Sequence, residues 1–232
     1  DKNVVENAIH TLQKAHAISV RSKQSYEYLL ARGIHAVLVP DSVHALSFFY
    51  QPENTVVGEY ILFQINKHLF DIYGMDIVAK SIYALIQKYN YPIYFFSVGT
   101  ANHHDSFELY EQIKKYMHDT YFENNIEVIY EKSPLKRVDW IAHAKIWIGS
   151  SLHGRIIAIS YKVPRISFAV EKLDQYAETW DPLFPYGITP STMVDACEKA
   201  LSVDMAHKES IAFNLTQLAK DNVETIIKTL YA

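Results

Sequence analysis

Lys145-Ile146-Trp147-Ile148-Gly149-Ser150-Ser151-Leu152-His153-Gly154 is the stretch that decides the fold. Lys145 to Ile148 has the apolar, β-branched character of a buried strand. Gly149, Ser150 and Ser151 then turn the chain into a helix that runs to about Tyr161. Pro164-Arg165-Ile166-Ser167-Phe168-Ala169 follows as a further strand. Strand, helix and strand in succession predict a parallel sheet covered by helices.

The same alternation continues upstream. Tyr60 to Ile65 reads as a strand, and a helix from about Asp76 to Tyr89 carries Ile77, Val78, Ile82, Leu85 and Ile86 on one face. Pro92 to Val98 is a strand that Gly99 breaks. A helix from about Ser106 to His118, a strand from Ile126 to Tyr130 and a helix opened by Ser133-Pro134 complete the series. The region after Ala169 reads as mainly helical, with a long helix from about His207 to Leu230. Before all this, Ala17 to Arg21 is a short strand, Ser22 caps a helix that Gly33 closes, and Ala36 to Val39 is a strand ended by Pro40 and Asp41. Gln51-Pro52-Glu53-Asn54 has turn composition.

Two strands therefore precede the turn-rich stretch and five follow it. The fold class expected is α/β, with a Rossmann-like parallel-sheet domain over residues 59–232, a linker at 53–58, and residues 1–52 as the C-terminal remnant of an N-terminal α/β domain. Two such domains facing each other would form a GT-B-like architecture, with its N-terminal domain partly missing here.

Composition narrows the function. Of 232 residues, 49% are hydrophobic and 21% charged, which is globular. The net charge of −4 provides no basic field for nucleic acid. Lys and Arg form no polybasic run, and the apolar runs are too short to span a bilayer. The single Cys197 excludes an intramolecular disulfide and a cysteine-based zinc cluster, and its helical context predicts a buried, inert thiol. The location expected is cytoplasmic, or peripheral to a membrane.

Ligands of parallel α/β sheets bind beyond the carboxyl ends of the strands, where new helices present backbone N–H groups and a favourable dipole to anions. Ser150, Ser151 and His153 stand at such a place. They can bind a phosphate, or the serines can simply cap the helix while the histidine packs beneath the sheet. Gly99-Thr100-Ala101-Asn102-His103-His104-Asp105 follows another buried strand. His104 and Asp105 are candidates to bind an acceptor hydroxyl or to act as its base; Asp105 can equally cap the next helix. The histidines there match no recognised metal-ligand spacing, and no metal is expected.

The order of three features resembles the polysaccharide pyruvyl transferase family. The first is Ser150-Ser151-Leu152-His153-Gly154 between strand and helix, followed by the Lys162-Val163-Pro164 turn. The second is a strand ending in arginine, Ser19-Val20-Arg21-Ser22, and the next ending in Leu38-Val39-Pro40-Asp41. The third is Lys172 in Glu171-Lys172-Leu173-Asp174-Gln175-Tyr176. The resemblance runs from about residue 15 to the C-terminus. Where some members have arginine before Leu-His, this chain has Ser151.

The resemblance implies transfer of the enolpyruvyl group of phosphoenolpyruvate to two hydroxyls of a sugar, giving a pyruvate ketal. The acceptor would be a glycan or a lipid-linked saccharide. No cofactor is implied, since phosphoenolpyruvate is a co-substrate. His153 would be the general acid, a role suited to imidazole near neutral pH. Arg21, Ser150, Ser151, Leu152 and Lys172 would bind phosphoenolpyruvate, and Asp41, His104 and Asp105 would serve the acceptor. Tyr176 and Trp180 are further candidates to stack on the acceptor sugar. A GT-B glycosyltransferase using a nucleotide sugar and a non-catalytic glycan- or partner-binding domain are the two rival readings.

Overall fold

The computed structural model describes residues 2–53, 59–97 and 106–231. Two parallel sheets organise them. β1 (Ser19–Val20) pairs with β2 (Val37–Leu38), linked by α2 (Lys23–Leu30). α1 (Lys2–Leu12) precedes this pair. Ser22 caps α2 by accepting the Ser25 N–H, and Gly33 takes the left-handed conformation, φ +68°, that lets the chain turn towards β2.

A 3-10 turn at Ser42–Ala45 and a short α3 (Leu46–Phe49) lead on to the larger sheet. Its strands are β3 (Ile61–Phe63), β4 (Ile93–Phe96), β5 (Ile126–Ile129), β6 (Ile146–Gly149) and β7 (Arg165–Ser167). Their spatial order is β5-β4-β3-β6-β7 with every pairing parallel. The chain winds outward from β3 to β5, then returns to place β6 on the other side of β3. This doubly wound order leaves a crevice where the winding reverses, at the carboxyl ends of β3 and β6.

Alternation along the strands splits the core. Ile61, Phe63, Phe95, Ile148 and Ile166 face α4 (Lys67–Tyr73), α5 (Met75–Tyr89), α6 (Phe107–Tyr121) and α10 (Met193–Ser202). Leu62, Phe96 and Trp147 face α7 (Pro134–Ala142) and α8 (Leu152–Ser160). Strands covered on both faces read as continuous apolar runs, which is the pattern of their sequence. Each fully buried large apolar side chain contributes about 1.5–3 kcal/mol.

A third cluster joins the two sheets. Leu152, Ile156 and Ile159 of α8 pack with Tyr176 of α9 (Glu171–Trp180) and Leu215 of α11 (Met205–Leu230), and Val43 of the 3-10 turn packs against them. Beneath it lies a buried charge cluster. Asp181 accepts from Arg155 Nε at 2.9 Å and Arg165 Nε at 2.8 Å, and all three side chains are fully buried. The carbonyls of Val163, Phe184 and Pro185 accept further guanidinium N–H groups. Two cations and one anion remain tolerable because nearly every donor is met.

Among the described residues, no helix is long and apolar enough to cross a membrane. Cys197 is buried, and burial pushes its thiol up to about 12, as an inert core residue requires.

Candidate functional site

The turn after β6 is shaped by an indole. Trp147 is fully buried, and a Cβ on Gly149 would meet its Cζ2 at 2.3 Å. A Cβ on Gly154 would meet the same atom at 2.5 Å. Both glycines are therefore demanded by the tryptophan, which lies where α8 leaves the sheet. The indole Nε1 has no hydrogen-bond partner among the described residues.

The two serines have different duties. Ser150 is 4% exposed. Its N–H donates to Gln64 Oε1 at 2.8 Å, its hydroxyl donates to the same oxygen at 3.3 Å, and it accepts the Asn66 N–H at 3.0 Å. Ser150 thus ties the carboxyl end of β6 to that of β3, and its hydroxyl already serves two protein partners. Ser151 is the N-cap of α8 and accepts the Gly154 N–H at 3.2 Å. The N–H groups of Leu152 and His153 have no acceptor within the helix, as in any first turn. The Leu152 side chain is buried, so only its backbone can face a ligand.

His153, one residue further, is exposed. The structure therefore removes the alternative in which this ring packs beneath the sheet. Its charge is felt by Asp41. Burial raises the Asp41 pKa, but the Val43 N–H, Arg21 and His153 together outweigh it, and the carboxyl sits below its ordinary range. Asp41 caps the 3-10 turn through the Val43 N–H at 3.0 Å and forms an ion pair with Arg21 Nη1. The Arg21 side chain is 45% exposed, against 9% for Asp41.

The carboxyl ends of β1 and β2 are held by α9. Trp180 Nε1 donates to the Arg21 carbonyl at 2.8 Å, and the Asp41 N–H donates to the Tyr176 hydroxyl at 3.3 Å. Tyr176 is only 1% exposed, so it is not available to stack on a sugar; its phenol is an internal connector. That phenol also lies 2.8 Å from His44 Nε2, while His44 Nδ1 lies 2.8 Å from Ser160 Oγ. Ser160 donates to the Ile156 carbonyl at 2.9 Å. The directions follow in turn. Ser160 spends its proton on Ile156, so Nδ1 of His44 must carry a hydrogen. Nε2 is then bare in the neutral ring and accepts from Tyr176, which accepts from Asp41. Desolvation lowers the His44 pKa to about 4, in keeping with a neutral ring.

Lys172 is exposed on the first turn of α9, about one turn before Tyr176 and two before Trp180. Arg21 and Asp41 also line a groove of about 450 Å³ closed by Asn222, Val223 and Ile226 of α11; His153 is not among its walls. His104 and Asp105 lie outside the described residues, as does most of the linker expected at 53–58. The helix that Asp105 was a candidate to cap starts at Phe107, and Ser106 caps it by accepting the Leu109 N–H. No group of three or more His, Cys, Asp and Glu side chains suited to a metal occurs among the described residues.

The arrangement offers an anion two unspent N–H groups at a helix start, with an exposed imidazole beside them. A carboxylate paired to an arginine lies within electrostatic reach. Sequence reasoning missed His44 and Ser160, whose only signal is their position 116 residues apart in a shared hydrogen bond. It also missed the part Trp147 plays, although Trp147 and Gly149 share a face of β6 by simple alternation.

Comparison with family models matches residues 1–172 to the one described as polysaccharide pyruvyl transferase. Comparison with curated proteins finds no match. Among solved structures, the UDP-GlcNAc 2-epimerase of Methanocaldococcus jannaschii in complex with UDP-GlcNAc and UDP matches with TM-score 0.61 and 17% identity, over 82% of this chain and 56% of that one. The UDP-GlcNAc 2-epimerase of Neisseria meningitidis bound to UDP-GlcNAc matches with TM-score 0.60 and 13% identity, over 92% and 61%. A putative UDP-N-acetylglucosamine 2-epimerase from Listeria monocytogenes gives TM-score 0.66 and 10% identity, over 94% and 60%. This chain thus spans less than two thirds of the length of these structures. Such likenesses define the fold, which is that of GT-B proteins in part.

Proposed function

Because this chain belongs to the polysaccharide pyruvyl transferase family, we propose that it transfers the enolpyruvyl group of phosphoenolpyruvate to a glycan as a pyruvate ketal. The observation that carries the reading is His153, an exposed imidazole in the first turn of α8 within electrostatic reach of the Arg21–Asp41 pair.

The chemistry would run as follows. The phosphate of phosphoenolpyruvate takes the Leu152 and His153 N–H groups at the helix start, and Arg21 and Lys172 supply positive charge. His153 gives a proton to the methylene carbon, which becomes the methyl group. The adjacent carbon becomes electron-poor, and one sugar hydroxyl adds to it. Asp41, His104 or Asp105 takes the hydroxyl proton. The bond from that carbon to the phosphate oxygen breaks, phosphate leaves, and a second hydroxyl of the sugar closes the ketal. Of the two hydroxyl protons, one leaves with phosphate and one restores His153. The acceptor is a glycan or lipid-linked saccharide, and the location that suits it is the cytoplasm or the membrane surface.

His153→Ala tests this directly. Phosphate release from phosphoenolpyruvate in the presence of acceptor should fall about 10²–10⁴-fold, while phosphoenolpyruvate still raises the melting temperature. Undiminished turnover would remove His153 from the mechanism. A second reading has its own support, because two of the solved structures named above hold UDP-GlcNAc. A melting temperature raised by UDP-GlcNAc and unmoved by phosphoenolpyruvate would favour a nucleotide-sugar enzyme. Stabilisation by neither, with binding to a glycan, would favour a non-catalytic domain.

A further inference from the structure

At the opposite end of the large sheet, where β6 and β7 begin, the molecule has a cavity of about 500 Å³. Lysines from separate segments line it: Lys145 just before β6, Lys162 in the turn between α8 and β7, and Lys208 near the start of α11. Lys162 sits in the left-handed region, φ +64°, where a non-glycine residue is uncommon.

These cations are not equally matched. Lys145 pairs with Glu59 at 2.5 Å, and Lys162 reaches Glu209 only at 4.0 Å. Lys208 is 8% exposed, and its ammonium has no hydrogen bond or ion pair among the described residues. Burial lowers its pKa first, and Arg165 and Lys145 lower it further against a weak pull from Asp204. The Lys208 stem is buried while its ammonium opens on the cavity, where Arg165 and Lys145 repel it; Glu59 and Glu209 also line the cavity but are engaged by Lys145 and Lys162, so an entering anion relieves the repulsion. The Arg155–Asp181–Arg165 cluster adds a further positive excess behind it. Leu201 and Met205 give the same cavity an apolar wall.

We propose that this cavity binds a phosphoryl group borne by a small molecule. Lys208 is its principal ligand, Lys145 and Lys162 close on it from other sides, and the apolar wall takes the rest of the molecule. A phosphoryl group fits better than a carboxylate because its acceptor oxygens point in several directions, towards lysines that come from separate segments. The site is distinct from the one around His153. The latter stands at the start of α8 and this cavity at its end, and a nine-residue helix separates them by about 13 Å.

Inorganic phosphate is the probe, compared with sodium chloride at equal ionic strength on the whole chain. Isotope-coded acetylation read by mass spectrometry should show Lys208 slowed about fivefold or more at saturating phosphate, with Lys199 and Lys228 unaffected. Phosphate should also raise the melting temperature by about 2–4 °C. Lys208→Met should diminish that rise, the part that remains belonging to the helix start at His153, where phosphate is a product of the proposed reaction. An unchanged acetylation rate at Lys208 overturns the proposal, and this arm needs no variant to fold. A rise undiminished in Lys208→Met overturns it as well, and equal protection by succinate overturns the phosphoryl assignment.

Discussion

Nε2 of His44 lies 2.8 Å from the hydroxyl of Tyr176, across 132 residues of sequence. This contact joins the turn that carries Asp41 to the helix that carries Lys172. It holds only while the ring is neutral, because Nδ1 already donates to Ser160 and a second N–H would confront the phenol proton.

Stability should therefore fall on mild acidification. The unfolded ring takes a proton near 6.5, whereas the folded ring resists to about 4. Between these values the unfolded state binds more protons, so stability rises with pH across the window and is intact above it. The loss between pH 7 and pH 4 from this group is about 3 kcal/mol. Asp41 and Asp181 face the ring and favour its charged form, and Arg165 opposes it. Urea unfolding at pH 7.5 and pH 5 measures the effect, and His44→Gln should flatten it. An equal slope in that variant would assign the acid sensitivity elsewhere.

The glycine before α8 and the glycine within its first turn answer to Trp147. Gly154→Ala and Gly149→Ala should each cost about 1–3 kcal/mol, since neither close contact can relax without moving a buried indole. Adding Trp147→Phe should recover part of the Gly154→Ala loss. A double-mutant cycle without coupling would show that the clash is relieved in some other way.

Asp181 is the acid that binds both buried arginines. Asp181→Ala leaves two cations in the core and should destabilise the chain by about 3–5 kcal/mol. Chemical denaturation or loss of soluble expression measures this. Replacing Lys172, exposed on a nearby helix, should leave stability within about 0.5 kcal/mol.

The adjacent serines should separate in their effects. Ser150→Ala strands the half-buried Asn66 N–H and should cost about 1 kcal/mol of stability. Ser151→Ala removes a helix cap and should cost about 1 kcal/mol. If phosphoenolpyruvate binds at this turn, its affinity should fall more in Ser151→Ala, whose hydroxyl is nearer the open end of the helix. Isothermal titration on both variants makes the comparison, and equal losses would place the ligand elsewhere.

The strands were readable because their burial on both faces writes itself as apolar runs. Tyr60 to Ile65 and Pro92 to Val98 each contain a strand of the sheet, and Lys145 to Ile148 covers all of β6 but its last residue, Gly149. The division into two strands and five matches the two sheets. α4 escaped notice because it is short, fixed by an Asn66 cap and ended at Gly74 rather than by a long apolar face. The turn at Gly149 was legible as a ligand-facing edge, since Gly and Ser after an apolar strand have few other uses. The reason for its glycines was less so, because a close approach depends on which way Trp147 points. His44 and Tyr176 could not be paired at all. Each is unremarkable in its own segment, and only the packing of α8, α9 and α11 brings them together.

The indole that donates to the Arg21 carbonyl gives the molecule an optical reporter of its own. Trp147 is sealed in the core and should emit at short wavelength. Trp140 and Trp180 are both only partly covered, so in a Trp140→Phe background the longer-wavelength component belongs to Trp180 and is sensitive to that single carbonyl. Any occupant that draws Arg21 away from α9 will change this component and leave the buried one untouched, which allows occupancy to be followed without a label.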